Sequence, residues 1–126
     1  MAIQNASVGT LTKTQAAAVT AATTNGTAIN ITDWEGIAII VLDAKNVAGA
    51  TPTLDVKIQD SPDGSTGWAD VTGAAFVQVT TAQSPAIITL DVNACKQSIR
   101  TVATIGGSST PSYIWSVNLI GEKKYV

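Results

Sequence analysis

β-Branched side chains dominate this sequence: 18 Thr, 13 Ile and 12 Val stand against only five Leu in 126 residues. Such side chains are restricted at χ1 and pack well on a pleated surface, so they favour strands. From about residue 27 onward, short apolar segments alternate with turn residues, and no segment has the length and period of a crossover helix. The sequence therefore predicts an all-β fold, an antiparallel β-sandwich or jelly-roll with an N-terminal arm.

Two segments give the strongest strand signals. Residues 54–59 alternate the apolar Leu54, Val56 and Ile58 with polar side chains, as expected for a strand with one buried face. Residues 37–43 are apolar at both parities, which predicts a central strand buried on both faces. Further strands are predicted over residues 27–31, 67–71, 74–80, 86–92, 99–105 and 112–120.

The first 26 residues differ from the rest of the chain, because they carry one charge, Lys13, and no aromatic side chain. Their Ala- and Thr-rich composition favours an arm or edge strand, and Asn25-Gly26 is a dipeptide typical of tight turns. The predicted division is an N-terminal arm or edge segment at residues 1–26 and a β-sandwich domain at residues 27–126. The large apolar side chains of the arm are the candidate assembly contacts: Ile3, Val8, Leu11 and Val19.

The residues needed for most enzyme chemistry are missing from the sequence. The chain has no histidine and one cysteine, Cys95, so His-based catalytic arrangements and His or four-Cys zinc sites are excluded. No phosphate-binding glycine motif occurs. We therefore expect no enzymatic activity, no catalytic residues and no cofactor.

The charge and hydropathy of the chain argue against nucleic acid and membrane as partners and leave an assembly with other proteins open. Charged residues make up 13% of the chain, about half the usual share of roughly 25%. A single arginine and a net charge of −2 argue against nucleic acid, and no apolar run approaches the roughly 20 residues of a membrane helix. Low charge fits either a polar, uncharged β-surface or a surface covered by neighbours in an assembly.

The most distinctive passage is DSPDGSTGWADVTGAAF, residues 60–76, which allows three interpretations. A calcium loop would use Asp60, Asp63 and Asp70, but the spacing does not match an EF-hand and Pro62 stiffens the loop. A catalytic acid cluster would require paired carboxylates. Turn chemistry accounts for all the residues, since Asp side chains bond nearby backbone and glycines accept positive φ. We predict a turn and no metal site.

This passage also carries a family resemblance. LDVKIQDSPDGSTGWADVTGAAFVQVTTA, residues 54–82, resembles a pattern of small structural proteins of tailed bacteriophages, in which an L-D-V-K-type strand enters a D-G-S turn and a W-x-D-V strand follows. The Ile99-Arg100 strand, the loop SSTPSY at residues 108–113 and the closing GEKKYV also fit. Some proteins of this group are capsid decoration, or cement, proteins that bind the outer shell and stabilise it.

The resemblance implies a virion protein on the capsid surface, made in the host cytoplasm, that binds the major capsid protein and copies of itself. A homotrimer is the expected oligomer, because closed symmetric oligomers suit symmetric positions on a shell. The alternative is a phage tail, neck or fibre module that binds a receptor or carbohydrate. That function would require exposed aromatic side chains from this set: Trp34, Trp68, Tyr113, Trp115 and Tyr125.

Overall fold

The computed structural model describes residues 6–17, 23–80 and 82–124, with backbone alone for residues 6–17 and 82–85. Most of these residues lie in strands, and the one helical element is a single 3-10 turn at Val92–Ala94. The all-β prediction is confirmed. The strands are β1 (Ala6–Ala17), β2 (Thr23–Asn25), β3 (Ile29–Asn30), β4 (Trp34–Ser61), β5 (Ala69–Ala75), β6 (Ala82–Asp91) and β7 (Ser98–Lys123).

Two long strands organise the sheet. β4 has 28 residues and β7 has 26, and they pair antiparallel from Trp34 opposite Lys123 to Ser61 opposite Ser98. All seven strands belong to this one antiparallel sheet. β4 and β7 extend through the whole sheet, and every shorter strand pairs with one of these two strands.

The shorter strands divide the sheet into two halves. Residues 34–48 of β4 and 112–123 of β7 are flanked by β6 and β1, and we call these four segments the β6 half. Residues 53–61 of β4 and 98–106 of β7 are flanked by β5 on one side and by β2 and β3 on the other, and we call these segments the β5 half. Both halves are antiparallel throughout.

The inward-facing side chains of both halves form one buried cluster. In the β5 half, Leu54, Val56 and Ile58 are buried in the alternating pattern that the sequence predicts. In the β6 half, Ile40 and Leu42 of β4 occupy the same cluster. Their burial removes apolar surface from water, which contributes about 25 cal/mol per Å² to stability.

The prediction that residues 37–43 are buried on both faces is wrong. Ile40 and Leu42 are fully buried, but Ile37 is 62% exposed and Ile39 is 40% exposed. The segment is central by hydrogen bonding, since β6 pairs with one edge and β7 with the other. Among the described residues, only one of its two faces is fully covered, and the apolar side chains of the other face are partly exposed.

The structure also joins strands that the sequence predicts as separate. Residues 37–43 and 54–59 lie in β4, and residues 99–105 and 112–120 lie in β7. Between them the register of the β4–β7 ladder shifts several times without ending, from Asn46 to Thr53 on β4. Gly49 and Gly107 have positive φ, +109° and +116°, which allows β4 and β7 to continue through the region of the register shifts.

The N-terminal segment contributes two strands to the same sheet. β1 pairs with the second half of β7, and β2 pairs with the first half. The predicted tight turn at Asn25-Gly26 is wrong: neither residue has positive φ, Asn25 is paired with Val102, and the Gly26 N–H donates to the Thr101 carbonyl at 2.9 Å. The boundary at residue 26 therefore lies within hydrogen-bonded backbone.

We expect Gly107→Ala to destabilise the protein more than Gly73→Ala. Both glycines have positive φ, which costs another residue about 1–2 kcal/mol. A Cβ at Gly107 would also lie 2.7 Å from the Thr51 carbonyl oxygen, whereas a Cβ at Gly73 would have no atom within 4 Å. Urea denaturation should give a loss of about 1 kcal/mol for Gly73→Ala and more than about 2 kcal/mol for Gly107→Ala. Equal losses would show that the ladder is not closely packed at Gly107.

Candidate functional site

The outer surface of the β6 half carries a group of aliphatic side chains that are exposed or, at Val41, half-buried in the described chain. They come from three adjacent strands, and each alternates with a buried or half-buried residue on the inner side. We call this group the isoleucine face, and its members are Ile37, Ile39, Val41, Ile87 and Ile120.

Strand register places these side chains next to one another. Ile39 lies opposite Ile120 of β7, and Val41 lies opposite Ile87 of β6. Directly opposed residues of an antiparallel pair project on the same side, with Cβ atoms about 4.5–5.5 Å apart. The isoleucine face is therefore continuous across β6, β4 and β7.

The isoleucine face is exposed to a degree unusual for such side chains. Ile37 and Ile87 are each 62% exposed, and Ile120 is 39% exposed. Scattered apolar side chains on a surface are normal, but a contiguous group marks an interaction site in a soluble protein. The arrangement can bind an apolar surface and holds no group suited to catalysis.

The outer surface of the β5 half has the opposite character. Gln59 accepts hydrogen bonds from Arg100 Nε and Nη2 at 3.2 and 2.9 Å and donates to Asp70 Oδ1 at 2.9 Å. Lys57 Nζ donates to Asp70 Oδ2 at 2.8 Å, and these two donors hold the pKa of the Asp70 carboxyl below its usual range. The Arg100 guanidinium lies 4.3 Å from the centre of the Trp68 ring. This surface satisfies its polar groups internally.

The predicted turn at residues 60–70 is confirmed at its centre. Asp63 accepts hydrogen bonds from the Ser65 and Thr66 N–H groups at 2.8 and 2.7 Å and from the Thr66 hydroxyl at 2.7 Å. These bonds favour the ionised form, so they hold the pKa of the Asp63 carboxyl well below its usual range. Gly64 and Gly67 have φ of +78° and +66°, as the turn requires.

The three aspartates of the hypothetical calcium site have separate partners. Asp60 is nearly buried and accepts from the Lys96 N–H at 3.1 Å, so its predicted bond to its own turn is wrong. Asp70 belongs to the polar network with Lys57 and Gln59. Among the described residues, no group of three or more His, Cys, Asp or Glu side chains could hold a metal ion.

Sequence reasoning missed the role of Ser61 in this loop. Its buried hydroxyl accepts from the Gly64 N–H at 3.0 Å and donates to the Thr66 carbonyl. Only the burial of Ser61 distinguishes it from other serines near the end of a strand. The sequence does not show burial, so it gave no usable signal for this role.

The aromatic side chains are mostly part of the core. Tyr113 and Trp115 are fully buried and Trp34 is nearly so. The Tyr113 hydroxyl donates to the Val79 carbonyl at 3.1 Å, and burial raises the pKa of this phenol. Trp115 Nε1 is buried without a hydrogen-bond acceptor among the described residues. Trp68 lies under Arg100, and Tyr125 is outside the described residues.

Two of the four predicted assembly contacts can be located. Ile3 and Val19 lie outside the described residues. Val8 lies in β1 opposite Ile120 of the isoleucine face, and Leu11 lies at the register shift between Thr10 and Thr12. The register therefore brings β1 alongside the isoleucine face.

Cys95 follows the 3-10 turn and is half-buried, with its Sγ 3.4 Å from the Asp91 carbonyl oxygen. Burial and the nearby Asp60 and Asp91 carboxylates raise the pKa of the thiol to about 11. Since the thiolate is the reactive form, Cys95 is a poor nucleophile at neutral pH.

No protein-family model matches the chain, and the search of curated proteins returned no match. The resemblance to bacteriophage structural proteins therefore rests on the motifs of the sequence alone. Among the described residues, no helix is long and apolar enough to cross a membrane.

We expect Asp63→Asn to change how stability depends on pH. The pKa of Asp63 is lower in the folded protein than its unfolded value of about 3.9, so the ionised carboxylate stabilises the fold above that pH. This contribution is lost as the pH falls through the folded pKa. Thermal melts should show Asp63→Asn less stable than the native protein near neutral pH, with the difference shrinking on acidification. A fall in the native melting temperature on adding EDTA, reversed by calcium, would contradict the turn interpretation.

Proposed function

We propose that this chain is a bacteriophage capsid decoration (cement) protein that binds the outer surface of the assembled head and stabilises it. The observation that carries the proposal is the isoleucine face, an apolar surface built on a rigid sheet and open to solvent. Its partners in the proposal are the major capsid protein and further copies of the chain in a homotrimer, and its location is the surface of the virion. A structural role without catalysis is part of the same proposal.

We further propose that the sheet folds back on itself as a β-sandwich. Its two halves contribute to a single buried cluster. Tyr113 in the β6 half donates to the Val79 carbonyl, and Val79 in turn exchanges backbone hydrogen bonds of 2.9 Å with Leu54 in the β5 half. A sandwich explains why each half buries one face and leaves one outside.

The contrast between the two outer faces supports an assembly role. A protein that needed only solubility would have polar side chains on the outer faces of both halves. The β5 half has such an outer face, and the β6 half does not. Depletion of charge and enrichment in large apolar groups are typical of the centre of a protein interface. Covering the isoleucine face would contribute about 25 cal/mol for each Å² of apolar surface removed from water.

The N-terminal segment is the proposed element of attachment to the shell. It has a single charge in its first 26 residues, and β1 lies beside the isoleucine face through the pairing of Val8 with Ile120. The proposed contacts of this segment are Ile3, Val8, Leu11 and Val19.

The alternative, a tail, neck or fibre module that binds a receptor or carbohydrate, finds less support. Sugar recognition uses exposed aromatic faces, and Trp34, Tyr113 and Trp115 are buried while Trp68 is stacked under Arg100. The decoration role instead relies on the isoleucine face, which is exposed.

Binding to heads tests the proposal. We expect Ile37→Asp to weaken binding to purified heads that lack the protein by at least about tenfold, which corresponds to about 1.4 kcal/mol, because the charge would have to be desolvated wherever assembly covers the isoleucine face, against the shell or against a further copy. The matched control is Val77→Asp, which changes an apolar side chain that is 86% exposed in the segment between β5 and β6 and should bind normally. Cosedimentation with heads measures both.

Equal binding by Ile37→Asp and the native protein would show that the isoleucine face is not needed for binding to heads. Failure of the native protein to bind heads at any concentration, together with binding to tails or to host cells, would favour the alternative. Circular dichroism of each variant shows whether the fold is retained.

A further inference from the structure

The two outer strands of the β6 half have unpaired edges. In the part of the chain that the structure describes, β6 pairs with β4 alone and β1 pairs with β7 alone. An edge strand presents a row of free N–H and C=O groups that can pair with another chain. Within the described residues, the β6 half therefore has two open edges, one on each side of the isoleucine face.

Neither edge has the charges that usually prevent strand pairing. Proteins guard open edges with charged side chains, proline or bulges. β6 has Pro85 near its start, but residues 86–90 are AIITL and carry no charge. β1 has one charge in 12 residues, and its register shifts lie between Thr10 and Gln15, so residues 6–10 pair regularly. The open segments are 6–10 on one edge and 86–90 on the other.

The directions of the two edges are complementary. The half has four strands in the order β1, β7, β4, β6, and each neighbouring pair is antiparallel, so β1 and β6 run in opposite directions. The β6 edge of one copy can therefore lie antiparallel to the β1 edge of the next when the two copies are related by rotation about an axis parallel to the strands.

We propose that β6 of one copy pairs with β1 of the next copy, so that the copies close into a ring with the isoleucine faces turned towards its axis. One row across the half runs through Val8, Ile120, Ile39 and Thr89, so an unstaggered contact places Val8 of one copy beside Thr89 of its neighbour. The inference rests on the proposed function for the premise that assembly covers the isoleucine face.

A ring accounts for the isoleucine face better than a twofold arrangement through the β6 edges does. A twofold axis perpendicular to the sheet would pair β6 with β6 of a second copy. That arrangement would place the two isoleucine faces side by side, still open to water, and would leave both β1 edges unpaired. A ring covers both edges and one face of the β6 half of each copy at the same time, and a head-to-tail contact that closes on itself leaves no open edge in that half.

The mass of the protein in solution, without capsids, tests the inference. Light scattering after size-exclusion chromatography should show an oligomer for the native protein and a monomer for Thr89→Lys, which adds a charge to the β6 edge. Thr72→Lys is the matched control, because Thr72 is also exposed and lies in an edge strand, β5, of the other half. It should keep the native mass.

Cysteine crosslinking identifies the strands in contact. In a Cys95→Ser background, a mixture of Val8→Cys and Thr89→Cys chains should form a disulfide between the two variants on oxidation. Thr89→Cys alone should stay uncrosslinked. Disulfides between two Thr89→Cys chains would overturn the ring in favour of the twofold arrangement, and a monomeric native protein at all concentrations would overturn strand pairing altogether.

These outcomes separate the inference from the proposed function. An oligomer crosslinked between positions 8 and 89 that fails to bind heads would leave the ring intact and contradict the decoration role. A monomer that binds heads through its isoleucine face would support the decoration role and contradict the ring.

Discussion

The antiparallel ladder between β4 and β7 is the interaction on which the other elements depend. It runs from Trp34 opposite Lys123 to Ser61 opposite Ser98, and the five shorter strands add to its two edges. Left-handed glycines allow the two strands to continue through the region where the register shifts, so one pair of strands supplies the centre of both halves of the sheet. Each half then buries one face in the common cluster and presents the other outward.

The two outward faces differ in a way that the fold alone does not require. On the β5 half, Lys57, Gln59, Asp70 and Arg100 form a closed polar network that needs no partner. On the β6 half, five of the outward positions are isoleucine or valine, namely Ile37, Ile39, Val41, Ile87 and Ile120. Aliphatic side chains that remain partly exposed gain less from burial in a monomer than core side chains do, so their presence at adjacent positions is best explained by a surface that becomes covered. The low charge of the chain fits the proposed assembly role for the same reason.

The all-β class and the inward pattern of residues 54–59 could be predicted, because alternation of apolar and polar residues directly reflects which side chains meet water. The isoleucine face could not. The sequence of an outward isoleucine such as Ile39 does not show whether its own chain or another molecule covers it, so the run at 37–43 predicts burial on both faces although one face is partly exposed. The continuity of β4 and β7 was missed for a related reason: Gly49 and Gly107 normally mark the end of a strand, whereas here they let the pairing continue.

The central claim is that one face of β4 is buried in the core and the other becomes covered only on assembly. Measuring the solvent access of individual isoleucine methyl groups tests this claim most directly. In NMR spectra of isoleucine-labelled protein, a soluble paramagnetic probe should broaden the Ile37, Ile39, Ile87 and Ile120 methyl signals in dilute solution and leave Ile40 and Ile58 unaffected. At concentrations where the protein associates, or on binding to heads, the four exposed methyl groups should become protected. Broadening of Ile40 equal to that of Ile39, or lasting exposure of all four methyl groups in every assembled state, would contradict the account.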